Sequence, residues 1–214
     1  MKRVGTSALA VAWAMAAVVG VTGAGPASAQ VPSGDPALSS ARTAASVATP
    51  AGVVETTATC PTRSKRFLPS KITMAGVIRN ATIVFPSRVN GVPGAPPLTS
   101  AGKWQVAMDR KWPIRPGDPY GITILNAHVW PDGSALGNKM LAKLGLGDRI
   151  VLKSATHKLC YRVVKKVQVS PREALRRYYK VDGRPRIAIV VCSGTRLAPG
   201  VWSKRTIWYA APRA

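Results

Sequence analysis

The apolar run Ile187-Ala188-Ile189-Val190-Val191-Cys192 leaves this chain few folding choices. It is short, rich in β-branched residues and followed by a turn-rich segment, so it reads as a buried strand ending on Cys192. Arg205-Thr206-Ile207-Trp208-Tyr209-Ala210 reads as a second strand beginning at Arg205. A period of two puts Arg205, Ile207 and Tyr209 on one face and Thr206 and Trp208 on the other. The connection from Ser193 to Lys204 holds Gly194, Pro199 and Gly200 and reads as a loop. Within it, Arg196 follows Cys192 by only four residues, where a turn points it to solvent. A thiol at one strand end and a guanidinium opening the next can face each other across the mouth of a sheet. A nucleophile beside a fixed cation suits acyl transfer. The same residues also describe a buried, inert cysteine and a solvated arginine.

Upstream, short β-like runs alternate with turn clusters. Lys71–Met74, Gly76–Val77 and Ala81–Phe85 read as early strands around a turn, and Asn90 to Pro97 as an irregular loop. Gly121–Asn126, Asp148–Lys153 and Leu159–Val169 read as further strands. In the last, Leu159, Tyr161, Val163, Val167 and Val169 fall on one face and Cys160 on the other. Ser170-Pro171 followed by Glu173 predicts a short helix to about Tyr179. Many short strands and few helices give a mainly β domain, a closed or nearly closed barrel, with a two-sheet sandwich as the alternative.

The N-terminus carries an address. Lys2 and Arg3 open an uncharged stretch from Val4 to Gly34, with its apolar heart at Ala8–Val21 and a small-residue cleavage site, Ala27-Ser28-Ala29. Residues 1–29 are read as a signal peptide or, since about 20 apolar residues span a bilayer, an N-terminal membrane anchor. Residues 30–59 hold only Asp35, Arg42 and Glu55 as charges and no aromatic, so they read as a flexible Ala/Ser/Thr/Pro-rich linker. Residues 60–214 then form the folded domain.

Net charge is +23, and removal of residues 1–29 would still leave 29 basic residues against 8 acidic ones. Such a chain adheres to polyanions: outside a cell, to anionic wall polymers or a membrane surface. No zinc-finger or RNA-binding motif is present, so no nucleic-acid partner is expected. Three cysteines in an exported chain leave one thiol over, and they allow three single disulfides. The expected pair is Cys60 with Cys160, leaving Cys192 free. Of the two histidines, His128 ends an apolar strand, where a loop residue reaches a site, whereas His157 lies in a polar turn. Two separated histidines and few acids make no zinc spacing, and no phosphate-binding loop or Gly-x-Ser-x-Gly elbow occurs.

Gly200-Val201-Trp202-Ser203-Lys204-Arg205-Thr206-Ile207 resembles the C-terminal stretch of sortases, the cysteine transpeptidases of Gram-positive surfaces. The sortase order is His, then Cys at a strand end, then Arg opening the next strand. His128, Cys192 and Arg205 stand in that order, the last two thirteen residues apart. Ile122–Trp130 resembles the strand and loop that deliver the histidine. Leu144-Gly145-Leu146-Gly147-Asp148 resembles the turn that follows, and Lys71–Val77 the opening strand pair. Two positions depart from the pattern: Val191 replaces the common threonine, and Asn126-Ala127 replace a Gly-containing pair. With one folded domain, the chain looks like the actinobacterial class F or E types.

The resemblance implies a closed eight-stranded β-barrel with short helices in its loops. It implies a transpeptidase that cleaves a Leu-Pro-x-Thr-Gly-like C-terminal sorting signal on surface proteins. Cys192 would be the nucleophile, His128 the general acid and base, and Arg205 the stabiliser of substrate and oxyanion. The charges of His128 and Arg205 would favour the thiolate. The acceptor would be an amine on a peptidoglycan precursor or a protein, with no cofactor and no metal. The implied location is extracytoplasmic, at the cell surface. A basic, non-catalytic wall-binding protein and a purely hydrolytic cysteine peptidase are the alternatives.

Overall fold

A computed structural model describes residues 60–213. The stretches read as signal or anchor (1–29) and linker (30–59) lie outside these residues. No helix among the described residues is long and apolar enough to cross a membrane. Eight strands are formed: β1 (Lys71–Met74), β2 (Ile78–Val84), β3 (Val106–Met108), β4 (Ile122–Asn126), β5 (Arg149–Lys153), β6 (Lys158–Val169), β7 (Arg186–Ala198) and β8 (Val201–Pro212). Two helices join them, α1 (Leu136–Lys143) and α2 (Pro171–Tyr178). The strands close into a barrel in the order β1-β2-β3-β4-β7-β8-β6-β5. The barrel, rather than a two-sheet sandwich, is the architecture.

Closure follows from where the apolar residues sit. Ile72, Met74, Leu125, Ile150, Leu152, Ile187, Ile189 and Trp208 are buried together inside the barrel. Trp208 is fully buried among them, and its Nε1–H donates to the carbonyl of Leu144 at 2.9 Å. A second cluster lies on the other face of β4, β7 and β8, where Ile122, Ile124, Ala188, Ile207 and Tyr209 pack under Ala174 and Tyr178 of α2. These central strands are therefore apolar on both faces, which is why they read as continuous apolar runs.

Two pairs in the barrel are parallel, β2 with β3 and β4 with β7. Parallel neighbours need long crossovers. Both crossovers supply walls to the same groove: residues 85–105 link β2 to β3, and α2 lies on the return from β6 to β7.

The sequence reading differs from the structure in four places. Residues 193–204 are not a loop. β7 and β8 stay paired across it, through Ser193↔Lys204, Arg196↔Trp202 and Ala198↔Val201, to the two-residue turn at Pro199-Gly200. The pairing survives because β7 carries bulges. Gly194, at φ +76°, takes a conformation that disfavours side chains, and a Cβ there would stand 2.4 Å from Ser203 Oγ. Second, β6 switches faces. A bulge between Val163 and Lys165 leaves Leu159, Tyr161 and Val163 inside and turns Val167 and Val169 toward the outer cluster. Third, α1 was not read from the sequence, although Leu136, Met140 and Leu144 recur at four-residue spacing and are all buried. Fourth, Ala75–Val77 form a turn, and the short strand β3 lies where no strand was read.

A disulfide joins Cys60 to Cys160 of β6, with Cα atoms 5.8 Å apart. Cys160 also holds both ends of the domain through its backbone. Its N–H donates to Pro61 at 2.8 Å, and its carbonyl accepts from the Arg213 N–H at 3.1 Å. The bridge closes a separation of 100 residues. Replacing both cysteines by serine should lower the unfolding free energy by about 2–5 kcal/mol, read from denaturant titration. A loss under about 0.5 kcal/mol, the scale of an ordinary surface change, would contradict this.

Candidate active site

Cys192 and Arg205 are direct cross-strand partners on β7 and β8. By strand alternation both fall on the faces that lead into the α2-covered cluster, since Cys192 follows Ala188 and Val190 and Arg205 precedes Ile207 and Tyr209, and Cys192 also packs against the interior cluster. Alongside α2 that face opens into a groove of about 830 Å³. Cys192, Arg205 and His128 all line it. So does Arg196, which lies exposed on β7 rather than in a turn directed away from the site. His157 is elsewhere, stacked on Phe67 with ring centroids 5.5 Å apart.

Each site residue is fixed by its neighbours. Arg205 Nη1 donates to the carbonyls of Lys204 and Trp202 at 2.9 and 3.2 Å, which holds the guanidinium against its own strand. His128 Nε2 lies 2.6 Å from the carbonyl of Pro96. A carbonyl only accepts, so Nε2 carries the hydrogen, and Nδ1 is the nitrogen left to exchange a proton. Burial pushes the Cys192 thiol up from its ordinary pKa, and the nearby Arg205 charge pulls it only part of the way back. Burial therefore works against the thiolate that the neighbouring Arg205 charge favours. Desolvation outweighs a single cation here.

Three residues without sequence motifs position the histidine. The Gly137 N–H donates to the His128 carbonyl at 2.8 Å, and a Cβ on Gly137 would lie 2.4 Å from that same oxygen. Asn138 clamps the next residues: its Oδ1 accepts from the Trp130 N–H at 2.9 Å and its Nδ2 donates to the Trp130 carbonyl at 3.1 Å. α1 thus begins by gripping the histidine loop. Asn126 Nδ2 donates to the Gly94 carbonyl at 3.0 Å, so β4 also holds the 86–98 loop that His128 touches. The sequence signal for these roles was the α1 periodicity, since the start of that helix contains Gly137 and Asn138.

The groove walls are largely apolar. Val92, Pro93 and Leu98 come from the β2–β3 crossover, and Leu175 and Tyr178 from α2. The helix is capped by Ser170, whose Oγ accepts from the Glu173 N–H at 3.3 Å, and begins at Pro171. Tyr178 and Tyr209 hydroxyls tie it down, donating to the carbonyls of Leu125 and Arg177 at 2.5 and 3.0 Å. Trp130 also lines the groove, and its buried Nε1–H has no hydrogen-bond partner among the described residues. Among those residues no three His, Cys, Asp or Glu side chains converge as a metal site.

No protein-family model matches the chain, and no curated protein matches it in sequence. Solved structures do resemble it. Sortase C-1 from Actinomyces oris superposes with a TM-score of 0.50 at 20% identity, over 67% of this chain and 72% of that one. SortaseC1 from Streptococcus suis gives 0.51 at 14% identity, over 70% and 74%. The pilus-related sortase C of Group B Streptococcus gives 0.51 at 16%, over 71% and 69%. The chain has the sortase fold. At such identities the likeness is one of fold, and the chemistry has to be argued from the residues in the groove. Val191, which precedes Cys192, is buried in the barrel interior.

The balance of burial against the Arg205 charge can be read from the thiol itself. Alkylation of Cys192 by iodoacetamide should rise with pH to a midpoint above that of a free cysteine. Arg205→Gln removes the one favourable charge and should move that midpoint higher still, slowing alkylation at neutral pH. A midpoint unchanged or lowered in Arg205→Gln would show that Arg205 does not act on the sulfur.

Proposed function

We propose that this protein is a sortase-type cysteine transpeptidase. The observation that carries the reading is the direct cross-strand pairing of Cys192 with Arg205 in a groove that His128 also lines. In the proposed reaction, a surface protein's Leu-Pro-x-Thr-Gly-like signal lies along the apolar walls. One of its backbone carbonyls would satisfy the unpaired Trp130 Nε1–H. The Cys192 thiol passes its proton to Nδ1 of His128 as sulfur attacks the threonine carbonyl carbon. Arg205 donates to the oxygen as negative charge develops there. The C–N bond then breaks, and His128 returns the proton to the leaving glycine amine. A thioacyl enzyme remains. An incoming amine, deprotonated by His128, attacks the thioester and forms a new amide as the thiol is regenerated.

The raised pKa of the thiol suits a proton transfer timed to substrate rather than a standing thiolate. A peptide that excludes water from the groove also strengthens the hydrogen bonds aimed at its carbonyl. The finer parts of the reading rest on sequence resemblance: the class F or E assignment, the signal, and an amine from a peptidoglycan precursor or a protein. The location proposed is extracytoplasmic. Residues 1–29 would serve as signal or anchor and 30–59 as the linker that gives the catalytic domain reach.

Arg205 and Arg196 both line the groove, so their roles can be separated. Arg205→Lys keeps the charge but loses the planar fork. It should cost about 2.7–4 kcal/mol of transition-state stabilisation, roughly a hundred- to a thousandfold in turnover of a Leu-Pro-x-Thr-Gly peptide. Arg196→Lys should stay within about threefold, as a rim charge does. Mass spectrometry should find the acyl adduct on Cys192, and added amine should speed its release. Turnover lost in Arg196→Lys but kept in Arg205→Lys would overturn the assignment. Release by water that amines do not accelerate would make the protein a hydrolase.

A further inference from the structure

A second cavity, of about 750 Å³, lies at the far end of the same strands. It opens beside Gly121 and Arg186, at the starts of β4 and β7, and beside Pro212 at the end of β8. From Arg186 to Cys192 the strand runs about 20 Å, so this cleft and the thiol groove are separate places.

Its lining is unusual in charge. Five arginines line it, Arg63, Arg115, Arg184, Arg186 and Arg213, against a single carboxylate, Asp118. Asp118 is already engaged: it accepts from the Arg115 N–H at 2.7 Å and lies 3.4 Å from Arg66 Nε. The Arg115 guanidinium is spent on the backbone carbonyls of Arg110, Trp112 and Ile114. Burial and then the Arg66 charge push its pKa down, as expected where positive charge accumulates. Arg63, Arg184 and Arg213 are exposed and take part in no ion pair among the described residues. Like charges gathered this way repel, and the fold nevertheless holds them together. Cys160 does much of that holding. Its disulfide and its N–H fix the segment that carries Arg63, while its carbonyl fixes Arg213.

We propose that this arginine cleft binds phosphate groups carried in sequence on a linear polyanion. Every basic residue in its lining is arginine, and the guanidinium fork matches phosphate oxygens in pairs. A concave cleft admits a chain or a single group more readily than a flat bilayer. The site is independent of the thiol chemistry and uses none of its residues.

Fluorescence anisotropy of a labelled inorganic polyphosphate chain tests this. The double variant Arg184→Gln/Arg213→Gln should weaken binding by roughly tenfold or more, as loss of two charged donors predicts. A charge-matched pair elsewhere on the barrel surface, Arg79→Gln/Arg149→Gln, should change it by less than about twofold. All these variants should keep the Cys192 alkylation rate of the unaltered protein, which separates the result from the fate of the transpeptidase reading. Equal weakening by both double variants would overturn the site in favour of diffuse charge. So would an absence of polyphosphate binding. Preferential capture of phosphatidylglycerol vesicles, lost in Arg184→Gln/Arg213→Gln, would overturn the linear-chain assignment and make the cleft a lipid site.

Discussion

The register between β7 and β8 is the constraint on which the rest depends. Cys192 stands opposite Arg205 only because Ile189 pairs with Trp208 and Val190 with Ile207 further along the ladder. Those pairs are locked from both sides. Trp208 is packed inside the barrel and tied to Leu144, while Ile207 is buried under α2. A slip of one residue would exchange the two faces, sending Trp208 out of the barrel and Arg205 into it. Burying an unpaired guanidinium costs several kcal/mol, so the fold itself excludes that alternative. Pairing of thiol and cation is thus enforced by hydrophobic packing along the same two strands.

The same packing economy builds the groove. The two parallel pairings require long crossovers, and each crossover returns past the mouth of the barrel. α2 covers the outer faces of β4, β7 and β8, and it begins beside the site, just after Val169, the β6 partner of Arg205. The 86–98 loop is anchored at its base by Arg88, whose Nε donates to the buried Asp109 at 2.7 Å, and at its tip by Asn126 and His128. The histidine therefore sits between two supports, the loop carbonyl on its Nε2 side and α1 behind its backbone. This leaves Nδ1 as the exchangeable position, with no carboxylate partner among the described residues to orient the ring.

Much of the barrel was legible in the sequence because its central strands are apolar on both faces. Ile187–Cys192, Ile122–Asn126 and Leu159–Val163 could hardly be anything else. The α2 helix was legible through its cap, Ser170-Pro171. What was not legible came from bulges and long-range packing. Gly194, Pro199 and Gly200 look like loop residues, yet they are a bulge and a tight turn inside one long hairpin. The bulge after Val163 turns β6 over, which no period-two pattern reveals. Of the candidate site, the resemblance to sortases singled out His128, Cys192 and Arg205, and the structure brings all three to one groove. The state of the thiol was not legible, since burial opposes the Arg205 charge and only the folded packing decides between them. Gly137 and Asn138 also escaped notice, because their work is done through the backbone of His128 and Trp130.

The central claim is that Arg205 stabilises the oxygen of an acyl group on Cys192. The most direct measurement is a crystal structure of the protein carrying a thiol-reactive Leu-Pro-x-Thr peptide analogue on that sulfur. The account predicts that the analogue's threonine carbonyl oxygen lies within hydrogen-bond distance of the Arg205 guanidinium, with His128 still held by Pro96 and its Nδ1 facing the sulfur. A structure in which that oxygen is bound by Arg196, with Arg205 left on the Trp202 and Lys204 carbonyls, would contradict it.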